Sequence, residues 1–293
     1  MTSKKDLDCI FNEDKFVRNY KTGEKVTGQF AQSLIEQSGL VKDANANPEK
    51  PLVVLDNACG AGVVSSLLHQ QLNEKVKENW RLTCGDISEA MLEYTRGRLQ
   101  REGWQNAEVK VVDAQETGLP SAHYTHAITA FAYMALPKSL EALDESFRIL
   151  QPGGTIALST WIELGWIPVV HKALETIPGN LPFPTTQEFL SILSHGEWHS
   201  VPWIKSQLQQ RGFENIIVKA DTKAISLVIP EFVEMVMLMF PIGAKSFWTP
   251  KQREDSEDKI RPALVKYLED RYGKDGDVPI EWTAILSTAR KPN

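Results

Sequence analysis

Asp56, Asp86 and Asp113 each close a short apolar run, and the first leads straight into the turn Asn57-Ala58-Cys59-Gly60-Ala61-Gly62. Carboxylates at the ends of successive strands can accept hydrogen bonds from hydroxyl and amino groups, and they repel phosphate. Gly60 and Gly62 let the main chain turn sharply and let a ligand approach where a Cβ would intrude. The run Leu52–Leu55 suits a parallel strand buried on both faces, and Val63–Leu68 suits a helix packed on it. Strand, glycine turn and helix in that order read as a nucleotide-binding turn.

The spacing departs from the phosphate binders. A dinucleotide fingerprint needs G-x-G-x-x-G, and here Ala58 holds the first glycine position and Ser65 the last. A P-loop needs Lys and Ser or Thr after its second glycine, where Val63 and Val64 stand. A pyrophosphate is therefore disfavoured. In RLTCGDIS, Asp86 sits where an acid accepts both hydroxyls of a ribose, with Ile87 offering an apolar surface to an adenine. A second reading makes Asp86 a helix N-cap together with Ser88. In VKVVDA, Asp113 could receive an adenine amino group. In an open α/β sheet all three acids fall on the carboxyl edge of the strands, where ligands gather.

The elements that position them follow from the pattern. Strands are expected near 52–56, 81–85, 108–112, 125–131 and 154–161, a sixth at Asn215–Lys219, and an antiparallel one at Glu281–Ala289. A helix over Ser139–Leu150 should end at the turn Pro152-Gly153-Gly154. Residues 1 to about 40 read as two helices, the second from Glu24 to Ser38 with Val26, Phe30, Leu34 and Ile35 on one face and Gly39 as its stop. DANANPEK at 43–50 reads as a polar linker.

Composition excludes several functions. The chain has 293 residues and a net charge of −6, with Lys and Arg dispersed, so no basic stripe serves a nucleic acid. Its three cysteines fit neither a disulfide framework nor zinc spacing and imply a reducing compartment. The start MTSKKDLDCIF has no apolar leader and no long apolar run follows, so a cytoplasmic location is expected, with no membrane partner. No metal is expected, and no obligatory protein partner is evident.

DNACGAG, then GDIS, VDA, THAITAFAYMAL and ESFRILQPGGTIALSTW, resembles a class I S-adenosylmethionine-dependent methyltransferase across residues 51 to 161. YKTGEKVTGQFAQSLIEQSG, ETIPGNLPFPT and FWTPKQRE further resemble the fungal S-methyltransferases that bis-methylate gliotoxin and related dithiol diketopiperazines. Ala58 and Cys59 depart from the family turn, where many relatives carry Gly and a varied residue. The resemblance implies an α/β, Rossmann-like fold: a mostly parallel seven-stranded sheet with an antiparallel last strand and a helical cap. It implies a single domain with a lid over 1–50, a cofactor-binding core over 51–161 and cap inserts at 162–200 and 221–280. Residues 201–220 and 281–293 would then close the sheet.

It also implies S-adenosylmethionine as cofactor, held by Tyr20, Asp56, Asn57, Ala58, Cys59, Gly60, Gly62, Asp86, Ile87, Asp113, Ala114, Gln115 and Phe131. The acceptor, a small molecule with thiol groups, would meet Phe11, Tyr133, Trp161, Trp166, His171, Phe240 and Trp248. For any single cap aromatic, a place in the cap core competes with contact to the acceptor. Tyr20, Phe131 and Tyr133 are the candidates for positioning the reaction. None of the six histidines stands out as a base. A thiol needs none, because its pKa near 8.5 leaves some thiolate at neutral pH. N- or O-methylation stays open, as does a cofactor-binding protein on the same fold that transfers no methyl group, either a pericyclic catalyst or a regulator.

Overall fold

The computed structural model describes residues 14–193 and 196–293; the side chains of 14–21 and 193 lie outside the described residues. Seven strands form one sheet in the order β3-β2-β1-β4-β5-β7-β6. These are β1 (Val53–Asn57), β2 (Arg81–Asp86), β3 (Ala107–Val111), β4 (Tyr124–Ala130), β5 (Leu150–Glu163), β6 (Glu214–Val228) and β7 (Asp277–Arg290). β1 to β5 pair in parallel, and β7 lies antiparallel between β5 and β6. The strand order reverses between β1 and β4, which puts the crevice for a ligand at that switch point. The expected strands are present, each offset by a few residues.

Helix α1 (Asp14–Ser38) packs across β5 and β7 and beside α3 (Val63–Gln71). Its apolar face drives this, with Val26, Phe30, Leu34 and Ile35 all buried. Two differences from expectation appear here. α1 is one helix that runs through Gly23 rather than a second helix starting at Glu24, because burial of this face outweighs the roughly 1 kcal/mol that a helical glycine costs. The linker at 43–50 is helical in its first half, as α2 (Leu40–Ala46) restarts after Gly39, whose φ of 72° stops α1. Gln37 Nε2 then donates to the carbonyl oxygens of Ile217 and Leu286, fastening the end of α1 to β6 and β7.

Helices α4 (Glu74–Asn79), α5 (Glu89–Glu102) and α6 (Ser139–Ile149) complete the core. α6 passes directly into β5, and the Pro-Gly-Gly turn is a bulge inside that strand, with Gly153 at φ 72°. The first insert carries α7 (Trp166–Leu174) and α8 (Thr186–Leu193), and α9 (Val201–Gln210) returns the chain to the sheet. β6 continues to Val228, well into the segment expected as the second insert, because its upper half pairs with β7 as far as Val228 opposite Asp277. The rest of that insert is α10 (Ile229–Phe247) and α11 (Pro250–Tyr272).

Candidate cofactor and acceptor site

The glycine turn is built by backbone geometry. Ala58, Gly60 and Gly62 all have left-handed φ, at 52°, 53° and 75°. A Cβ on Gly62 would also lie 2.9 Å from the Trp104 ring and 3.1 Å from Thr95. Ala58 therefore occupies a conformation that costs a non-glycine residue about 1 kcal/mol or more. The turn is clamped from several sides: Cys59 N donates to Gly85 O at 2.9 Å, Thr95 Oγ1 to Gly60 O at 2.8 Å and Arg98 Nη1 to Ala61 O at 3.1 Å. Arg98 also pairs with Glu24 at 3.1 Å, tying α1 to the turn.

The three acids divide the work. Asp56 is buried, and its Oδ2 accepts from Ser65 N at 3.1 Å and Ser65 Oγ at 2.6 Å. It thus pins the first turn of α3 beneath the glycines, and burial pushes its carboxyl up to about 7. Bracing α3 is a further role, beyond the ligand contact expected of Asp56. Asp86 accepts Gly60 N on Oδ2 at 2.8 Å and Ser88 N on Oδ1 at 2.9 Å. Ser88 caps α5 itself, by accepting from Met91 N, so the capping role falls to Ser88 and Asp86 braces it. With the Ile87 N–H also directed at it, the carboxylate keeps accepting capacity that a ribose hydroxyl can use. Burial raises its pKa, opposed by those backbone donors. Beside it Ile87 is 62% exposed, an apolar platform on the edge.

Asp113 lies two residues beyond β3, and its Oδ1 accepts both Gln115 N and Gln115 Nε2. Ala114 between them is buried. Asn57 is fully buried at the end of β1, and neither its amide oxygen nor its nitrogen has a partner. An orphaned amide, a glycine cradle and an accepting acid beside an apolar ledge match the polar and apolar parts of an adenosine carrying an amino-acid tail. The described residues therefore fit S-adenosylmethionine.

Past the switch point the edge is aromatic. Phe131 ends β4 with φ 57°, a conformation rare for a bulky residue, held by Phe131 N donating to Ser159 O at 3.0 Å. Its ring stacks on Trp161 of β5 at 4.0 Å, and Phe30 of α1 meets both edge-on at 6.1 and 5.3 Å. Trp282 of β7 lies 5.6 Å from Trp161. Sequence reading selected Phe131 and Trp161 but missed Phe30 and Trp282 as members of this cluster.

The other described aromatic candidates for the acceptor lie within the packed interior. Tyr133 is fully buried, with its hydroxyl on Ser146 at 2.7 Å and its ring stacked on Trp198; burial pushes its pKa up to about 12. The helical turn Tyr133–Ala135 rotates it away from the edge. Trp166, Phe240 and Trp248 are buried around Phe183, and His171 Nε2 contacts Pro184 O. They are the core that holds α7, α10 and the start of α11 together, so the competing cap-core reading applies to them. His199 lines a cavity of ≈ 10 Å³ with Trp161 and Trp198, room for about one water. Phe11, the Tyr20 side chain and His195 lie outside the described residues.

A reversed-order parallel sheet, a strand-to-helix glycine turn and an acid closing β2 over that turn define a class, and the chain belongs to it: the class I S-adenosylmethionine-dependent methyltransferases. Residues 54–154 match the family model of the methyltransferase domain. The chain is 42% identical over 286 residues to the methyltransferase tpcH of Aspergillus fumigatus, covering 98% of this chain and 100% of that one. It is also 42% identical over 290 residues to the acetylaranotin bis-thiomethyltransferase of Aspergillus terreus, covering 99% of each. Among solved structures, the fold is similar to phosphoethanolamine N-methyltransferase 2 of Haemonchus contortus in complex with S-adenosylhomocysteine. That likeness has a TM-score of 0.56 at 14% identity and covers 100% of this chain and 61% of that one. The YcgJ protein of Bacillus subtilis is similar too, with a TM-score of 0.51 at 14% identity over 87% of this chain and 97% of that one.

Proposed function

We propose that this enzyme transfers methyl groups to both thiols of a reduced dithiol diketopiperazine, a small secondary metabolite of the gliotoxin kind. The end-to-end likeness to a bis-thiomethyltransferase is the observation that carries this reading. Half-buried Phe131, backed by the buried rings of Phe30, Trp161 and Trp282, supports it, since an apolar wall of this kind suits a flat, neutral acceptor. When bound, S-adenosylmethionine supplies an electrophilic methyl carbon on a sulfonium, so the transfer is already favourable. The protein's task is to hold the acceptor sulfur in line, about 3 Å from that carbon, and to keep water out.

In this reading Asp86 holds the ribose, Ile87 and the Asp113–Gln115 loop border the adenine, and the turn Asn57–Gly62 receives the amino-acid end. Asp56 shapes that turn from below through Ser65. Phe131 stands between the two ligands, backed by Phe30 of α1. The core, cap inserts and sheet-closing segments make one domain working in the cytoplasm. Among the described residues no helix is long and apolar enough to cross a membrane.

The test is turnover with isotopically labelled cofactor against a reduced dithiol diketopiperazine and matched amine and phenol acceptors, with products read by mass. Label on both sulfurs is expected. Label on the amine or phenol instead would keep the fold and discard the substrate class.

A further inference from the structure

Lys223 sits on β6 directly opposite Trp282 of β7, on the face of the sheet that carries the aromatic cluster. Its Nζ lies 5.6 Å from the centroid of the Phe30 ring, the ring that also abuts Phe131 and Trp161. Its ion-pair partner Asp221 stands 3.4 Å away, and the Asp221 Oδ2 concerned makes no hydrogen bond. Trp282 is 3% exposed, and its indole N–H has no partner. An ammonium and an orphaned N–H donor thus converge on an apolar cluster beside the switch point. An ammonium held only by the 3.4 Å pair with Asp221 and lying over the Phe30 ring, with an unpartnered N–H donor at the paired position, describes a place for a soft anion.

We infer that Lys223 and the Trp282 N–H hold the acceptor sulfur as a thiolate; this rests on the proposed thiol substrate. A nearby ammonium lowers a thiol pKa and so raises the thiolate fraction at neutral pH. The thiol proton goes to solvent. The bond from sulfur to the methyl carbon then forms as the bond from that carbon to the sulfonium breaks, leaving neutral thioethers on both sides. The product sulfur carries no charge for Lys223 to hold, so the remaining thiol can displace it. That gives a physical reason for two successive transfers at one site. Among the described charged groups on α1 and α10, Glu24 pairs with Arg98, Lys25 with Glu231, and Glu234 with Arg261.

The experiment compares the pH profile of kcat for dithiol methylation in the parent, Lys223→Met, Lys223→Arg and Trp282→Phe. The expected result for Lys223→Met is a kcat about tenfold lower at pH 7 with its pH midpoint raised by about one unit, unchanged cofactor affinity, and partial rescue in Lys223→Arg. Trp282→Phe, which keeps the ring and removes the N–H, should move the midpoint in the same direction by less, and it serves if Lys223→Met does not fold. A parent that labels both sulfurs while Lys223→Met and Trp282→Phe keep its pH profile overturns this inference alone. A parent that labels only the amine or phenol overturns the thiol substrate and this inference with it.

Discussion

On the β1–β2–β3 side of the switch point, the ligand edge is held by hydrogen bonds between neighbouring strand ends: Asp86 to Gly60, Cys59 to Gly85, Asp56 to Ser65. On the β4–β5–β7–β6 side it is held by aromatic faces contributed by α1, β4, β5 and β7, as Phe30, Phe131, Trp161 and Trp282. The first half is polar and built from segments close in sequence, and the second is apolar and assembled from the whole chain. A constant cofactor needs fixed donors and acceptors. An acceptor that varies among relatives needs only a shaped apolar wall with one or two polar groups, and such a wall can be rebuilt from different parts of the chain.

The largest test of that contrast is Trp161→Ala. Removing a buried ring that contacts Phe30, Phe131 and Trp282 should lower the unfolding free energy by about 3–5 kcal/mol, read by denaturant titration. If the acceptor half were loosely packed, the loss would be under about 1 kcal/mol.

On the polar half the expected effect is one of pH. Asp56 has a folded pKa of about 7 against an unfolded value near 3.8. The folded state therefore binds more protons between those values, and ionising Asp56 there works against the fold. Its contribution to stability is greatest at low pH, declines from about pH 4 to 7 by at most about 1.4 kcal/mol per unit, and is flat above. Asp56→Asn, which keeps an acceptor for Ser65, should flatten that segment of the stability profile. An unchanged slope would mean that Asp56 is not the group responsible.

The smallest effect is expected at Ala58. Its φ of 52° strains an alanine, whereas glycine costs more entropy when the chain folds, so Ala58→Gly should raise stability by roughly 0.5 kcal/mol. A loss of stability in equilibrium unfolding would contradict a strained turn.

The same contrast governs what could be read from the sequence. The strands, the glycine turn, Asp86 and Ile87 were legible because their signals are local: an apolar run, an acid, a glycine, at short intervals. The length of β6 was not, since its polar upper half reads as loop until β7 is there to pair with it. Asp56 was placed at the right strand end, but its bonds to Ser65 were not legible, because they depend on how the first turn of α3 packs against β1. Tyr133 was misread for a similar reason, as a tight turn just after the strand swings it onto Ser146. Lys223 and Trp282 carry no local signal at all. They become neighbours only through an antiparallel register that joins residues far apart in the chain.

The central claim is that the two halves are separable, one binding the cofactor and the other presenting the acceptor. Calorimetric titration of S-adenosylmethionine into Asp86→Asn and Lys223→Met, side by side with the parent, tests it most directly. The account predicts at least about a hundredfold weaker binding for Asp86→Asn, the loss of a charge-assisted pair of hydrogen bonds, and affinity within about twofold of the parent for Lys223→Met. Parent-like binding in Asp86→Asn, or an equal loss in both variants, would contradict it.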